Sequence, residues 1–328
     1  DFIDQSDIND QYDQSEWRMD KQIEVWGSSH LVKYYHRYIC FDKEKDIGTD
    51  YVFIDHPSFR RAGGLYHNSK EGTEYSDNLF RFALFSMAAL EAPLSLNLGG
   101  SPFGDKCMFV ANDWQAALVP TYLVHKYRRN NVYMDARCVF VIHNMGYQGV
   151  YPWEDGRVLG KLGLPHFAHS DAYFIYPHHL RCHELDKGEV INLTKSGVVC
   201  ADRVMTVSKN YAEEMQTNEG GFNLQDLIRE KSFYMTGVQN GIDDAWDPSI
   251  DEQIAAPYSF ADLSGKAKCK AALQKRLGLE VRDDVAVLGF IGRLTWQKGV
   301  DIITSVLDWL LTPAGNDVNG NVQVIMMG

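Results

Sequence analysis

Gly289-Phe290-Ile291-Gly292-Arg293-Leu294-Thr295-Trp296-Gln297-Lys298-Gly299 is the stretch whose reading decides the fold. It begins inside an apolar run, residues 285–291, and turns at Gly292-Arg293. After Gly299 a helical pattern follows, in which Val300, Ile303, Val306, Leu307 and Leu310 recur at three- and four-residue spacing before Pro313. A buried strand, a short polar turn and an amphipathic helix make half of a parallel α/β unit. Gly292 and Gly299 allow a tight turn and close backbone approach to a ligand. The helix N-terminus offers unpaired N–H groups and the positive end of a dipole, and Arg293 and Lys298 bring two cations to the same place. Such a turn can neutralise a diphosphate, each charge-assisted bond contributing about 1.5–3 kcal/mol. The plainer alternative is two solvated loop cations. The pattern is neither Gly-x-x-x-x-Gly-Lys-Ser/Thr nor Gly-x-Gly-x-x-Gly, which argues against a P-loop ATPase and a dinucleotide oxidoreductase.

The same grammar repeats upstream. Residues 51–54 run into Asp55-His56-Pro57, 108–111 into Asn112-Asp113-Trp114, 138–142 into His143-Asn144, and 203–207 into Ser208; downstream, 322–327 run into Gly328. Short apolar runs without alternation predict strands buried on both faces. Helical patterns lie between them: Leu79, Phe82, Leu84 and Met87 before Pro93, and Ala116, Val119, Leu123 and Tyr127 after Trp114. The expected fold is a doubly wound parallel sheet, whose ligands bind outside the carboxyl ends of the strands. Asp113, His143 and Arg293 fall at such ends. A boundary is expected between Asn240 and Asp284, giving a first domain over 1–240, a connecting stretch with a polar helix over 241–284, and a second domain from 285 to 328.

Composition narrows the function. The 328 residues are 45% apolar and 23% charged, which excludes a disordered or collagen-like chain, and the length suits roughly two domains. A net charge of −12 argues against a nucleic-acid partner while leaving room for one local basic pocket. No apolar run is long enough to span a membrane, so no membrane partner is expected. Cysteines at 40, 107, 138, 182, 200 and 269 form no Cys-x-x-Cys pair and read as scattered thiols in a reducing compartment. Asn192-Leu193-Thr194 matches the glycosylation triplet but lies in an apolar helical pattern. His178-His179-x-x-Cys182-His183 offers i, i+4 pairs for zinc, but the two pairs lie about 100° apart around a helix, and a polar helix is the better reading.

Gly-Arg-Leu-x-x-Gln-Lys-Gly at 292–299, Asn112-Asp113-Trp114 and His143-Asn144-Met145-Gly146-Tyr147-Gln148-Gly149 together resemble the starch and bacterial glycogen synthases. The likeness extends from about residue 25 to Gly328 through further matches in order. They include 51–59, Asp77-Asn78 and the four residues after them, Glu91-Ala92-Pro93, 185–189, Thr206-Val207-Ser208, Asn240-Gly241-Ile242-Asp243 and 263–270. The 185–189 and 263–270 stretches are most similar to the soluble type I enzymes of plants and green algae. The resemblance implies an α/β chain of the GT-B fold, with two Rossmann-like doubly wound parallel-sheet domains. It implies transfer of glucose from ADP-glucose to the non-reducing end of an α-1,4-glucan with retained configuration, and no metal or organic cofactor. It also implies a place in the plastid stroma (the cytosol in some algae) and other starch-synthesis enzymes as further partners.

Carried over motif by motif, Arg293, Lys298 and Gly292 would hold the donor diphosphate. Asn240 would approach the donor sugar from the hinge side. His143 would line the donor-glucose pocket near its 6-hydroxyl, with Asp113 at the same cleft. Tyr75 and Asn78 would face the acceptor glucan. The chain also departs from the family. Asp-Trp-His reads Asp113-Trp114-Gln115, and glutamine hydrogen-bonds but cannot titrate. The Lys-x-Gly-Gly-Leu donor loop has no counterpart near the start; Arg61-Ala62-Gly63-Gly64-Leu65 lies too far downstream and is a decoy. The glutamate-bearing acidic motif held to be catalytic is absent. The expectation is therefore an N-terminal domain without its first strand, a truncated C-terminal domain, and no activity from this chain by itself. The alternative is a non-catalytic homologue that binds glucan or a partner synthase.

Overall fold

In the computed structural model, the described residues are 12–61, 64–67, 73–180, 187–313 and 321–328. The chain divides into two compact units, Asp1–Asn240 and Gly241–Gly328. Residues 241–284 therefore belong with 285–328.

The first unit opens with β1 (Glu16–Val25), β2 (Ser28–Asp42) and β3 (Ile47–Asp55), an antiparallel meander. The 51–54 run, read as a parallel strand, is thus the end of an antiparallel one. Its residues are half-buried or exposed because only one face of the meander packs on the core. Helix α1 (Asn78–Ser95) follows and lays Leu79, Ala83, Leu84, Met87 and Leu90 into that core. It passes through Pro93 rather than stopping before it. A proline this close to the end forfeits one intrahelical bond, and the Pro93 carbonyl accepts from Gly104 N–H at 2.8 Å.

A parallel sheet comes next, in the order β10-β9-β5-β4. Its strands are β4 (Met108–Asn112), β5 (Arg137–Ile142), β9 (Arg203–Thr206) and β10 (Met235–Gly237). Between β4 and β5 the chain forms a 3-10 turn, α2 (Leu118–Tyr122) and a π-helical turn at Leu123–Tyr127. A small antiparallel sheet of β6 (Val150–Pro152), β7 (Tyr173–Ile175) and β8 (Glu189–Asn192) lies between β5 and α3 (Leu193–Cys200), and α4 (Lys209–Glu214) follows β9. β5 is buried as its sequence predicts, with Cys138, Phe140, Val141 and Ile142 nearly inaccessible. β4 is not: Met108 is 70% and Val110 54% exposed, because β4 is the edge of the described sheet. Asn192 is wholly buried and caps α3 by accepting from Lys195 N–H at 2.9 Å, so it offers no surface for a glycan.

The second unit contains α5 (Ser264–Arg276), β11 (Ala286–Ile291), α6 (Val300–Leu311) and β12 (Val322–Met327), with β11 and β12 parallel. Here too the expectation of burial on both faces fails. Leu288 and Ile291 are largely exposed, since among the described residues β11 has one neighbouring strand. No described helix is long and apolar enough to cross a membrane. Among the described cysteines none is bridged; Cys138 and Cys200 are buried, and Cys40, Cys107 and Cys269 are half-buried.

Candidate functional site

β4 and β5 are adjacent and parallel, so the residues that leave their carboxyl ends must meet. Asp113 is the first residue past β4. Its backbone sits at φ +60°, outside the region that side-chain-bearing residues prefer, and its N–H is held by Val141 O at 2.7 Å. Its carboxylate is largely buried and accepts backbone N–H groups from Trp114, His143 and Asn144. Those donors favour ionisation, but burial outweighs them and lifts the carboxyl to about 6. His143, the first residue past β5, donates Nε2–H to Asn112 Oδ1 at 3.0 Å. Burial lowers its pKa, so the ring is neutral at pH 7.

The loop from His143 to Gly149 is fastened from below. Met145 N–H donates to Tyr211 Oη at 2.8 Å. Gln148 is buried; its amide nitrogen donates to Met145 O at 3.1 Å and Phe222 O at 3.0 Å, while its oxygen accepts from Asn192 Nδ2 at 2.6 Å. Gly149 lies at φ +61°, and a Cβ there would stand 2.6 Å from Trp114 Cε3. Only glycine lets the loop close on the Trp114 ring.

Tyr66 packs on Trp114 at 6.2 Å between ring centres, and its phenol is raised by burial and by the charge of Asp113. Tyr75 is joined to it through Tyr75 N–H and Tyr66 O at 3.0 Å, with the Arg61 guanidinium 4.6 Å over the Tyr75 ring. Asn78 is fully buried: its amide donates to Tyr66 O at 3.0 Å and accepts from Arg81 at 2.7 Å. Asn78, expected to face an acceptor, is instead turned inward to hold Tyr66, to which Tyr75 is bonded. Arg81 donates from α1 to Ser58 O, Leu65 O and Asn78.

In the second unit Gly292 N–H bonds Met327 O at 3.0 Å, and Lys298 closes a 3-10 turn that Gly299, at φ +72°, converts into α6. Arg293 and Lys298 are exposed and form no ion pair with any described residue. Asn240 is exposed at the end of the first unit. The structure thus joins Asp113 to His143, links Tyr75 and Asn78 to them through Tyr66, and sets Gly292, Arg293 and Lys298 on one turn of the other unit. Tyr66 and Tyr211 carry no local signal in the sequence, and Arg81 and Gln148 lie within the matched stretches without a role that the sequence reveals; the roles of all four depend on partners that the fold brings near. Residues 62–63 of the Gly-Gly decoy, and Cys182 and His183 of the zinc alternative, lie outside the described residues. A cavity of about 510 Å³ lies elsewhere, between β3, α1 and β4; Asp50 is the one charged residue in its apolar wall, so it offers no catalytic cluster.

A parallel sheet with polar residues converging past its carboxyl ends, together with a separate strand–turn–helix whose two cations have no ionic partner among the described residues, defines a class: an α/β protein of the kind whose ligands bind at strand ends. Within that class, residues 4–230 match the starch synthase catalytic domain model, and the chain belongs to that family. It is 46% identical over 308 residues to soluble starch synthase 1 of Oryza sativa subsp. japonica, covering 94% of this chain and 45% of that protein. It is 44% identical to starch synthase 1 of Arabidopsis thaliana, over 93% of this chain and 44% of the relative. Both relatives are named chloroplastic/amyloplastic. The catalytic domain of starch synthase IV from Arabidopsis thaliana, solved bound to ADP and acarbose, superposes with a TM-score of 0.74 at 28% identity, covering 97% of this chain and 59% of that one. The fold is GT-B. The chain spans about half the length of the curated relatives it matches.

Proposed function

We propose that this chain is part of a plastid starch synthase, a retaining glucosyltransferase that moves glucose from ADP-glucose to the non-reducing end of an α-1,4-glucan. The observation that carries the reading is the turn after β11. Two exposed cations without ionic partners among the described residues stand at the head of a 12-residue helix, an arrangement suited to a diphosphate. The ADP bound by the starch synthase IV relative supports the same assignment.

In this reading Arg293 and Lys298 neutralise the donor diphosphate and the charge that develops on it as the glycosidic bond breaks. Gly292 lets the phosphates approach the backbone. The neutral ring of His143 suits hydrogen bonding to a sugar hydroxyl, and Asp113 shares that pocket. Asn240 approaches the donor from the end of the first unit, Tyr75 presents its ring to the acceptor, and Asn78 keeps that ring in place. Two cations and a helix terminus supply charge neutralisation of the kind a divalent ion can provide.

The test is glucosyl transfer from ADP-glucose to maltooligosaccharide by the protein at its native length, comparing wild type with Lys298→Ala. A loss of roughly tenfold to a hundredfold or more in kcat/KM is expected from removing one charge-assisted bond. An unchanged kcat/KM overturns the diphosphate assignment. Maltooligosaccharide binding without any transfer by wild type would establish the glucan-binding reading in its place.

A further inference from the structure

Beneath the sheet, away from the residues discussed so far, three side chains of different chemistry converge. His125 comes from the π-helical turn after α2, Asp171 from the short helix His169–Ala172, and Cys200 from the last position of α3. Their ligand atoms all lie within 4.8 Å of one another. Asp171 Oδ2 is 2.7 Å from His125 Nε2 and 3.6 Å from Cys200 Sγ. Cys200 ends α3 just before β9 begins at Arg203, which puts the cluster toward the amino ends of the strands, opposite Asp113 and His143.

From this geometry we propose a zinc-type divalent cation site formed by His125 Nε2, the Asp171 carboxylate and Cys200 Sγ. One nitrogen, one oxygen and one thiolate are the donor mixture of a borderline-soft ion; magnesium and calcium need more oxygens. With metal–ligand bonds of about 2.0–2.3 Å, a tetrahedral site needs ligand separations of roughly 3.3–3.8 Å. The Asp171–Cys200 separation already fits, and the His125–Asp171 separation must open by less than about 1 Å. Binding displaces the Sγ proton to solvent and moves the His125 proton from Nε2 to Nδ1. The carboxylate and thiolate then balance the charge of the ion.

One further observation favours a ligand over a purely structural network. His125 is presented by a π-helical turn, a distortion that interrupts good helical hydrogen bonding and recurs at functional sites. The site ties three separate helical segments together, so its role is to brace the first unit.

The experiment is a Co²⁺ titration of the metal-free chain, read by the thiolate-to-cobalt charge-transfer band and the visible bands of tetrahedral cobalt, with Zn²⁺ displacement. One equivalent is expected, with the charge-transfer band lost in Cys200→Ser and affinity falling more than about tenfold in His125→Gln. Zn²⁺ should raise the Tm of wild type but not of Cys200→Ser. Absence of the thiolate band in wild type overturns the proposal whatever the variants do. So does a band that survives Cys200→Ser and disappears in Cys182→Ser, which would place the ion in the 178–183 run. If Cys200→Ser does not fold, Asp171→Asn and His125→Gln carry the same comparison.

Discussion

At the end of β4, Asp113 is half-hidden and already accepts three backbone N–H groups; in the turn after β11, Arg293 and Lys298 face solvent with no ionic partner among the described residues. The first region is preorganised. Its polar groups are satisfied by the fold itself, and its strained backbone is held by Val141 and by the loop that Gln148 and Tyr211 fasten. The second region is prepared only in sequence and local turn geometry, and in the proposed reading a diphosphate supplies the partner for its charges. Disturbing the first region should therefore cost folding free energy, whereas disturbing the second should cost binding and leave stability nearly unchanged.

The largest expected effect tests the second half of that contrast. The double variant Arg293→Ala/Lys298→Ala should weaken ADP binding by two to four orders of magnitude, from about 1.5–3 kcal/mol per lost charge-assisted bond, with little change in Tm. Calorimetric titration with ADP alongside a melting curve reads both; a large fall in Tm would erase the distinction. Next comes Gly149→Ala. The added methyl meets the Trp114 ring at 2.6 Å in a left-handed backbone conformation, so a loss of about 2–3 kcal/mol is expected in urea unfolding.

The third prediction uses pH. Burial raises the folded carboxyl of Asp113 from 3.8 to about 6, so its contribution to stability is fully present below the unfolded value and is lost as pH rises through about 6. Wild type should lose about 2 kcal/mol from this group between about pH 4 and pH 7, and Asp113→Asn should remove that component. Unfolding series of both proteins across that window would show it, and parallel curves would contradict it. The smallest effect is Tyr211→Phe. It leaves Met145 N–H without its acceptor and should cost about 1–2 kcal/mol, enough to loosen the His143 loop and broaden its amide exchange.

Much of this is legible in the sequence. The strands at 108–112, 137–142, 203–206 and 286–291 stand where apolar runs end in polar turns, because a strand in a parallel sheet must be apolar and its exit must be soluble. Asp113 and His143 could be paired on the same logic. The meander was misread because 51–54 lacks the alternation that usually betrays an antiparallel strand, and β4 was misread as buried because a hydrophobic run does not reveal how many neighbours it will have. Asn78 looked like a ligand contact because a polar residue beside Tyr75 invites that reading, and its burial depends on Arg81 arriving from the same helix to fill its oxygen.

The sequence by itself determined the strand–turn–helix order, the residues that leave each strand, and the cations and glycines at 292–299, since these follow from local periodicity and from the backbone freedom of particular residue types. Tertiary structure alone decided that burial would hold the Asp113 carboxyl near 6, that Gln148 and Tyr211 would fasten the loop, and that His125, Asp171 and Cys200 would meet across 75 positions of chain. The physical reason is the same in each case. Desolvation and side-chain hydrogen bonds depend on neighbours in space, and a linear pattern specifies those neighbours only after the chain has packed.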